Sequence, residues 1–112
     1  MIRLFILSEG CVIVFELEKN KYITRGIKEK VSKFQQLVCW NLIEQKNESE
    51  IKLDYLQIFE FFQEKDNNKI IYRQERPLFI DEYSFRGGAI KYLKIWVIDD
   101  SERIVMMLPE EY

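Results

Sequence analysis

The apolar residues of this chain change their spacing once, and that change constrains the fold more than any other feature. Between residues 31 and 43 they recur at every third or fourth position, which is the period of an α-helix. From residue 53 onwards they alternate with polar residues, which is the period of a strand with one buried face. The sequence therefore predicts an α+β domain, in which one main amphipathic helix packs on one face of an antiparallel sheet of about five strands.

The helix is predicted over residues 33–46. Ser32 is a suitable N-cap, and Gln35 three positions later completes a capping box. Polar residues 47–50 end the helix. Its predicted apolar face consists of Val31, Phe34, Leu37, Val38 and Leu42, with Trp40 and Ile43 on the flank.

Strands are predicted over residues 12–17 and 22–27, and two hairpins are predicted after the helix. The first hairpin joins residues 53–61 to 69–75 through the turn composition of residues 65–68. We expect this hairpin to place Leu56 and Ile58 on one face with Ile70 and Tyr72. The second hairpin joins residues 90–98 to 103–108, and its inward positions are all apolar, which predicts a buried face. A weaker extended segment, residues 78–85, lies between the two hairpins.

Composition excludes several function classes. The 112 residues fit one domain, and the 17 basic and 19 acidic side chains give a formal charge of −2, which is not the signature of a strongly basic nucleic-acid binder. There is no histidine, which removes Ser-His nucleophile pairs and His-ligated zinc. We therefore predict no catalytic residue, no cofactor and no metal, and a protein that is not an enzyme.

The two cysteines, Cys11 and Cys39, form neither a CxxC pair nor a ligand cluster, and we expect reduced thiols in a cytoplasmic protein. No apolar run approaches the ~18 residues that a membrane-spanning helix needs. The carboxylates that bunch late in the chain are predicted to be solvated in a turn and a terminal tail, rather than to form a metal or acid–base site. These carboxylates are Asp99, Asp100, Glu102, Glu110 and Glu111.

Five blocks in the same order resemble the domain of unknown function 960 family, a set of small cytosolic proteins of bacteria and their phages. The blocks are residues 22–27 (YITRGI), 53–60 (LDYLQIFE), 70–77 (IIYRQERP), 94–100 (KIWVIDD) and 106–112 (MMLPEEY). The resemblance covers residues 15–112 and implies no activity. Family members start with methionine and phenylalanine where this chain has Val14 and Phe15, so residues 1–14 are predicted to be an N-terminal extension from an upstream start. The alternative, a genuine extra strand over residues 2–7, stays open.

The leading functional hypothesis is a protein-binding accessory or regulatory module of a bacterium or its phage, which binds a partner protein or a second copy of itself. Aromatic and Met-rich patches are typical of interfaces, and the second sheet face is predicted to carry one. Its candidate residues are Tyr55, Gln57, Phe59, Arg73, Glu75, Trp96 and Met107.

The alternative hypothesis is a nucleic-acid-binding accessory protein that tracks phosphates with basic side chains. The candidates for that role are Lys19, Lys21, Arg25, Lys28, Lys30 and Lys33. A small enzyme that depends on carboxylates or a metal is the third hypothesis.

Overall fold

The structure is a computed structural model that describes residues 4–6, 19–87 and 90–112. Its strands are β1 (Leu4–Ile6), β2 (Asn20–Thr24), β3 (Leu56–Glu64), β4 (Asn67–Gln74), β5 (Phe79–Phe85), β6 (Leu93–Asp99) and β7 (Arg103–Met107). Its helices are α1 (Arg25–Lys30), α2 (Lys33–Asn47) and a final 3-10 turn, Pro109–Glu111. The predicted α+β class is confirmed. The strand predicted over residues 12–17 lies outside the described residues.

All described strands form one sheet in the order β1-β2-β7-β6-β3-β4-β5. Neighbouring strands are antiparallel, except that β2 and β7 run parallel with Tyr22 opposite Val105. The prediction of an antiparallel sheet of about five strands is therefore wrong for this one strand pair, and the described sheet has seven strands. A parallel pair needs a long crossover, and here the whole chain between β2 and β7, including both α-helices, supplies it.

Helix α2 begins as predicted. Ser32 Oγ accepts a hydrogen bond from the Gln35 amide at 3.1 Å, and Gln35 Oε1 accepts one from the Ser32 amide at 3.2 Å, which confirms the capping box. Phe34 departs from the prediction, because 58% of its surface is exposed where it meets Phe85 at the end of β5. Within the part of the chain that the structure describes, no helix is long and apolar enough to cross a membrane.

Helix α2 packs its buried residues, which include Cys39, Trp40 and Ile43, on one face of the sheet, here called the core face. At the helix end Lys46 forms an ion pair with Asp81 of β5, and its ammonium lies 4.3 Å from the centre of the Phe79 ring. Removing these apolar side chains from water is the main favourable term in folding. The core therefore forms between α2 and the middle of the sheet.

The β3–β4 hairpin has a different pairing from the predicted one. Its turn contains only Lys65 and Asp66, so Glu64 pairs with Asn67, Phe61 with Ile70, and Phe59 with Tyr72. Aromatic residues Phe59 and Phe61 consequently lie on the core face. Leu56 and Ile58 lie on the opposite face, here called the outer face, with Ile71 and Arg73. The prediction that Leu56 and Ile58 share a face with Ile70 and Tyr72 is wrong, because a turn with an even number of residues pairs even-numbered residues of β3 with odd-numbered residues of β4.

The β6–β7 hairpin matches the prediction. Val97 lies opposite Met106 on the core face, and Trp96 lies opposite Met107 on the outer face. Ile95, Val97, Ile104 and Met106 are fully buried. The short polar turn and the apolar residues at every inward position of both strands were sufficient to predict this pairing.

Candidate functional site

The seven residues predicted to bind a protein do not share one surface. Gln57 and Phe59 lie fully buried on the core face, so their predicted place on a partner surface is wrong. Tyr55, with 58% of its surface exposed, precedes β3, and Glu75 is exposed just beyond β4. The remaining candidates lie on the outer face, where Arg73 and Trp96 are half-buried and Met107 is buried.

Gln57 belongs to a buried polar network. The Tyr72 hydroxyl donates to Gln57 Oε1, and Gln57 Nε2 donates to Gln74 Oε1 at 2.9 Å. Gln74 Nε2 in turn donates to the carbonyls of Lys52 and Pro77 at 3.0 and 2.8 Å. Burial raises the pKa of Tyr72 above its ordinary range. These polar groups hydrogen-bond one another and the neighbouring backbone, so the network positions loops and is not aimed at solvent.

The outer face presents less apolar surface than the sequence predicts. Trp96 lies between Ile58 and Met107 on the neighbouring strands, and each of those two neighbours is only 5% exposed. Tyr112 packs edge-on against Trp96, with ring centroids 5.7 Å apart. Little of this cluster is left for a partner to contact.

The basic candidates are distributed over several elements. Lys19 Nζ lies 2.5 Å from Asp99 Oδ1, and Arg25 Nε lies 2.8 Å from Glu29 Oε1. Arg25 belongs to α1 and not to the strand predicted over residues 22–27, so Lys19, Lys21 and Arg25 do not follow one extended segment. Of the other three, Lys28 and Lys30 lie on α1 and Lys33 is the first residue of α2. The ion pairs and the spread of these side chains favour local stabilisation over a continuous phosphate-binding track.

Asp100 acts locally in the turn, as predicted, whereas Asp99 corrects the prediction of a solvated carboxylate through its ion pair with Lys19. Asp100 Oδ1 accepts hydrogen bonds from the amides of Glu102 and Arg103 at 3.1 and 2.9 Å. Partial burial raises the pKa of Asp100, but hydrogen bonds from Arg103 and Glu102 outweigh it and hold the pKa below its usual value. Among residues 19–87 and 90–112, no three side chains of the metal-binding types come together.

Glu111 corrects the prediction of a solvated tail. Its Oε1 accepts hydrogen bonds from Thr24 Oγ1 at 2.5 Å and from the Leu108 amide at 2.9 Å, and its Oε2 accepts one from the Gly26 amide at 3.0 Å. A Cβ at position 26 would lie 2.7 Å from the carboxyl carbon, so glycine leaves the space that this carboxylate fills. Thr24 also caps α1 through the Ile27 amide. This arrangement, here called the Glu111 clamp, is why the predicted strand over residues 22–27 ends at Thr24.

A large cavity with apolar walls lies where α1 meets α2, beside the chain that enters β6. Its volume is about 710 Å³, and its apolar walls are Phe34, Phe85, Ile90, Tyr92 and Leu93. Phe34 and Tyr92 are 58% and 61% exposed, and Phe34 lies 5.9 Å from Phe85 between ring centroids. The Tyr92 hydroxyl donates a hydrogen bond to Glu60, and this hydrogen bond raises the pKa of Tyr92. We call this cavity the aromatic groove.

Sequence reasoning missed the aromatic groove because its walls come from separate segments. Phe34 follows the helical period and was therefore predicted to be in the core, although its place in the first turn of α2 puts it at the rim of the sheet. Tyr92 falls within the strand predicted over residues 90–98, whereas β6 begins only at Leu93. The one signal in the sequence was the position of Phe34 directly after the capping box, where a helix end can project beyond the layer it covers.

Two smaller cavities continue from the aromatic groove. One of about 330 Å³ shares Lys30, Tyr92 and Leu93 with it and extends to Pro109, and another of about 360 Å³ lies between α1 and Glu111. Lys30 borders all three. Together they form one depression along the junction of α1, β6 and the C-terminal turn.

Comparison with known proteins identifies the fold and the family. A solved structure described as the crystal structure of the protein of unknown function from Enterococcus faecalis is similar to this chain, with a TM-score of 0.77 and 18% identity, over 90% of this chain and 97% of that chain. At that identity the likeness shows the fold alone. None of the curated proteins that were compared matches the chain. The family model for a staphylococcal protein of unknown function (DUF960) matches residues 20–111, which include the Glu111 clamp and the aromatic groove, and this chain therefore belongs to the DUF960 family.

Proposed function

We propose that the protein is a non-enzymatic protein-binding module and that the aromatic groove is its binding surface. The observation that carries this proposal is the pair of aromatic side chains, Phe34 and Tyr92, that remain more than half exposed beside a cavity of about 710 Å³. Exposed aromatic surface of this kind is typical of interfaces, where aromatic anchors supply much of the binding energy.

The groove replaces the outer face as the proposed surface. Met107 on the outer face is buried, whereas Phe34 and Tyr92 present their rings to solvent. The surrounding backbone is held by ordered elements, since the capping box of Ser32 orients Phe34 and strand β6 begins at Leu93. A side chain that a helix already positions, as α2 positions Phe34, loses less conformational entropy when a partner binds, which favours affinity.

Site-specific photocrosslinking in the native cells tests this proposal. A photoreactive phenylalanine analogue at position 34 or 92 should yield one discrete crosslinked protein of constant mass. The matched control is Leu78, which is 70% exposed but lies seven residues from Phe85 along β5, a separation of about 23 Å. Equal crosslinking from all three positions, or none from the groove, would contradict a binding role for the groove.

We also propose that the partner belongs to a bacterium or its phage, with the module in the cytoplasm. This proposal is supported by the staphylococcal description of the family and the Enterococcus faecalis source of the similar structure.

For the nucleic-acid alternative we expect no micromolar binding to generic DNA or RNA at physiological salt, since Lys19 and Arg25 are already ion-paired. Fluorescence anisotropy with a labelled random-sequence duplex and a single strand measures this. Strong binding that falls steeply with salt would favour the alternative.

A further inference from the structure

We infer that the aromatic groove binds an extended peptide that combines an aromatic or large aliphatic anchor with acidic residues beside it. The inference rests on the proposed protein-binding function and adds the chemistry of the partner. The anchor lies between Phe34, Phe85 and Tyr92, and the acidic residues lie over Lys30 and Lys94.

Strand β6 offers an edge for an extended chain. Its pairing with β3 covers Leu93–Ile98, whereas its pairing with β7 begins at Trp96. Strand β7 ends at Met107, and the chain turns into the 3-10 turn at Pro109. Among the described strands, the first residues of β6 are thus paired on one side only. On the other side the C-terminal 3-10 turn contacts β6, and the cavity of about 330 Å³ lies between them. An added peptide strand uses such an edge through main-chain hydrogen bonds and places alternate side chains in pockets.

The charges around the depression select the peptide. Lys30, Lys91 and Lys94 are exposed, and among the described residues they form no ion pair. The carboxylates nearby are mostly engaged: Glu29 pairs with Arg25, and Glu111 is held in the clamp. Glu110 is the exposed carboxylate that borders the cavity beside Lys30. Glu60 is a second carboxylate here, since it accepts the Tyr92 hydroxyl and lies opposite Lys94 on β3. Three cations against these two carboxylates favour an anionic ligand, because complementary charges steer association and exclude basic competitors.

Selection from random linear 12-residue peptides displayed on phage, with the full chain immobilised, tests the inference. Enriched peptides should carry an aromatic or large aliphatic residue with at least two Asp or Glu nearby. The strongest sequence is then synthesised with a fluorescent label, and its affinity is measured by anisotropy. Phe34→Ala and Lys30→Glu should each weaken binding at least tenfold. The matched control is Lys28→Glu, which makes the same charge change on α1 about 200° around the helix and should change affinity less than twofold.

The outcomes separate this inference from the proposed function. If enriched peptides require Phe34 but lack acidic residues and bind Lys30→Glu normally, the acidic-peptide inference is overturned and the binding groove stands. If no peptide is enriched above the Phe34→Ala background, both fall. A concentration-dependent dimer that Phe34→Ala dissolves would assign the groove to a second copy and also overturn the inference. Circular dichroism spectra identical to wild type exclude misfolding as the cause, since Phe34 and Lys30 are exposed.

Discussion

Gly26→Ala should destabilise the protein, although helix propensity alone predicts the opposite. Alanine in place of glycine inside a helix is favourable by about 1 kcal/mol. At position 26, however, the new Cβ would lie 2.7 Å from the Glu111 carboxyl carbon and Oε1, so the carboxylate must move. It would then give up hydrogen bonds from Thr24, Gly26 and Leu108.

The magnitude follows from those three bonds. Each is partly buried and involves a charged acceptor, and about 1 kcal/mol of net stabilisation apiece is a moderate value. Their loss costs about 3 kcal/mol, and the propensity gain returns about 1 kcal/mol. We therefore expect Gly26→Ala to lower the free energy of unfolding by about 2 kcal/mol.

Urea unfolding followed by tryptophan fluorescence measures this free energy, and a double-mutant cycle tests its cause. In a Glu111→Ala background the space is cleared, so Gly26→Ala should become neutral or stabilising by up to about 1 kcal/mol. Glu110→Ala is the matched control, because Glu110 is exposed, and should change stability by less than about 0.5 kcal/mol. The reasoning fails if Gly26→Ala stabilises the wild-type chain, or if its effect is equal in both backgrounds.

Three further predictions concern the buried network, the β3–β4 turn and the N-terminus. Tyr72→Phe should cost about 1–2 kcal/mol at pH 7, because Gln57 Oε1 loses its donor. Burial raises the pKa of Tyr72 in the folded state, so Tyr72 ionises first in the unfolded chain, and wild-type stability falls above about pH 10 by up to about 1.4 kcal/mol per pH unit. The difference in unfolding free energy between the wild type and Tyr72→Phe should therefore shrink above that pH. A constant difference would contradict the burial of a protonated Tyr72 hydroxyl. Lys65→Gly should raise the free energy of unfolding, measured by urea unfolding, by up to about 1 kcal/mol, since Lys65 has φ of 56° as the first residue of a two-residue turn. A loss of stability would exclude backbone strain at Lys65. Removing residues 1–13 deletes β1, a three-residue strand at the sheet edge, and we expect a loss below about 2 kcal/mol by thermal unfolding; a larger loss would make this segment an integral part of the domain.

Features that depend on a few neighbouring residues could be read from the sequence. Ser32 and Gln35 lie three positions apart, and their side chains cap α2 without help from the rest of the molecule. The β6–β7 hairpin was also predictable, because pairing about its short polar turn makes every inward position apolar. Cys39 likewise lies in the core as expected, and burial raises the pKa of its thiol. The capping box and the hairpin could therefore be predicted from residues that are close together in the sequence.

The predicted binding face was wrong because it contained the residues of β3 that face the core. Apolar residues occur at both parities in β3, so alternation alone could not decide which set faces the core. Pairing across the turn places Phe59 on the same face as Tyr72, and this is the face that α2 covers, so Phe59 lies in the core and not on the predicted surface. A pairing choice of this kind is a property of the whole sheet, because the favoured arrangement is the one that buries the larger apolar area beneath α2.

The Glu111 clamp and the aromatic groove were decided only by the tertiary structure. The clamp joins Thr24 and Gly26 to a residue 87 and 85 positions away, and no local period connects them. The parallel pairing of β2 with β7 brings these segments together. The aromatic groove likewise forms where the start of α2 meets the chain entering β6. Sequence patterns determined most of the elements and the buried face of the β6–β7 hairpin, because those depend on neighbours within a turn or a strand pair. The surfaces proposed for function depend on which distant elements the sheet places side by side.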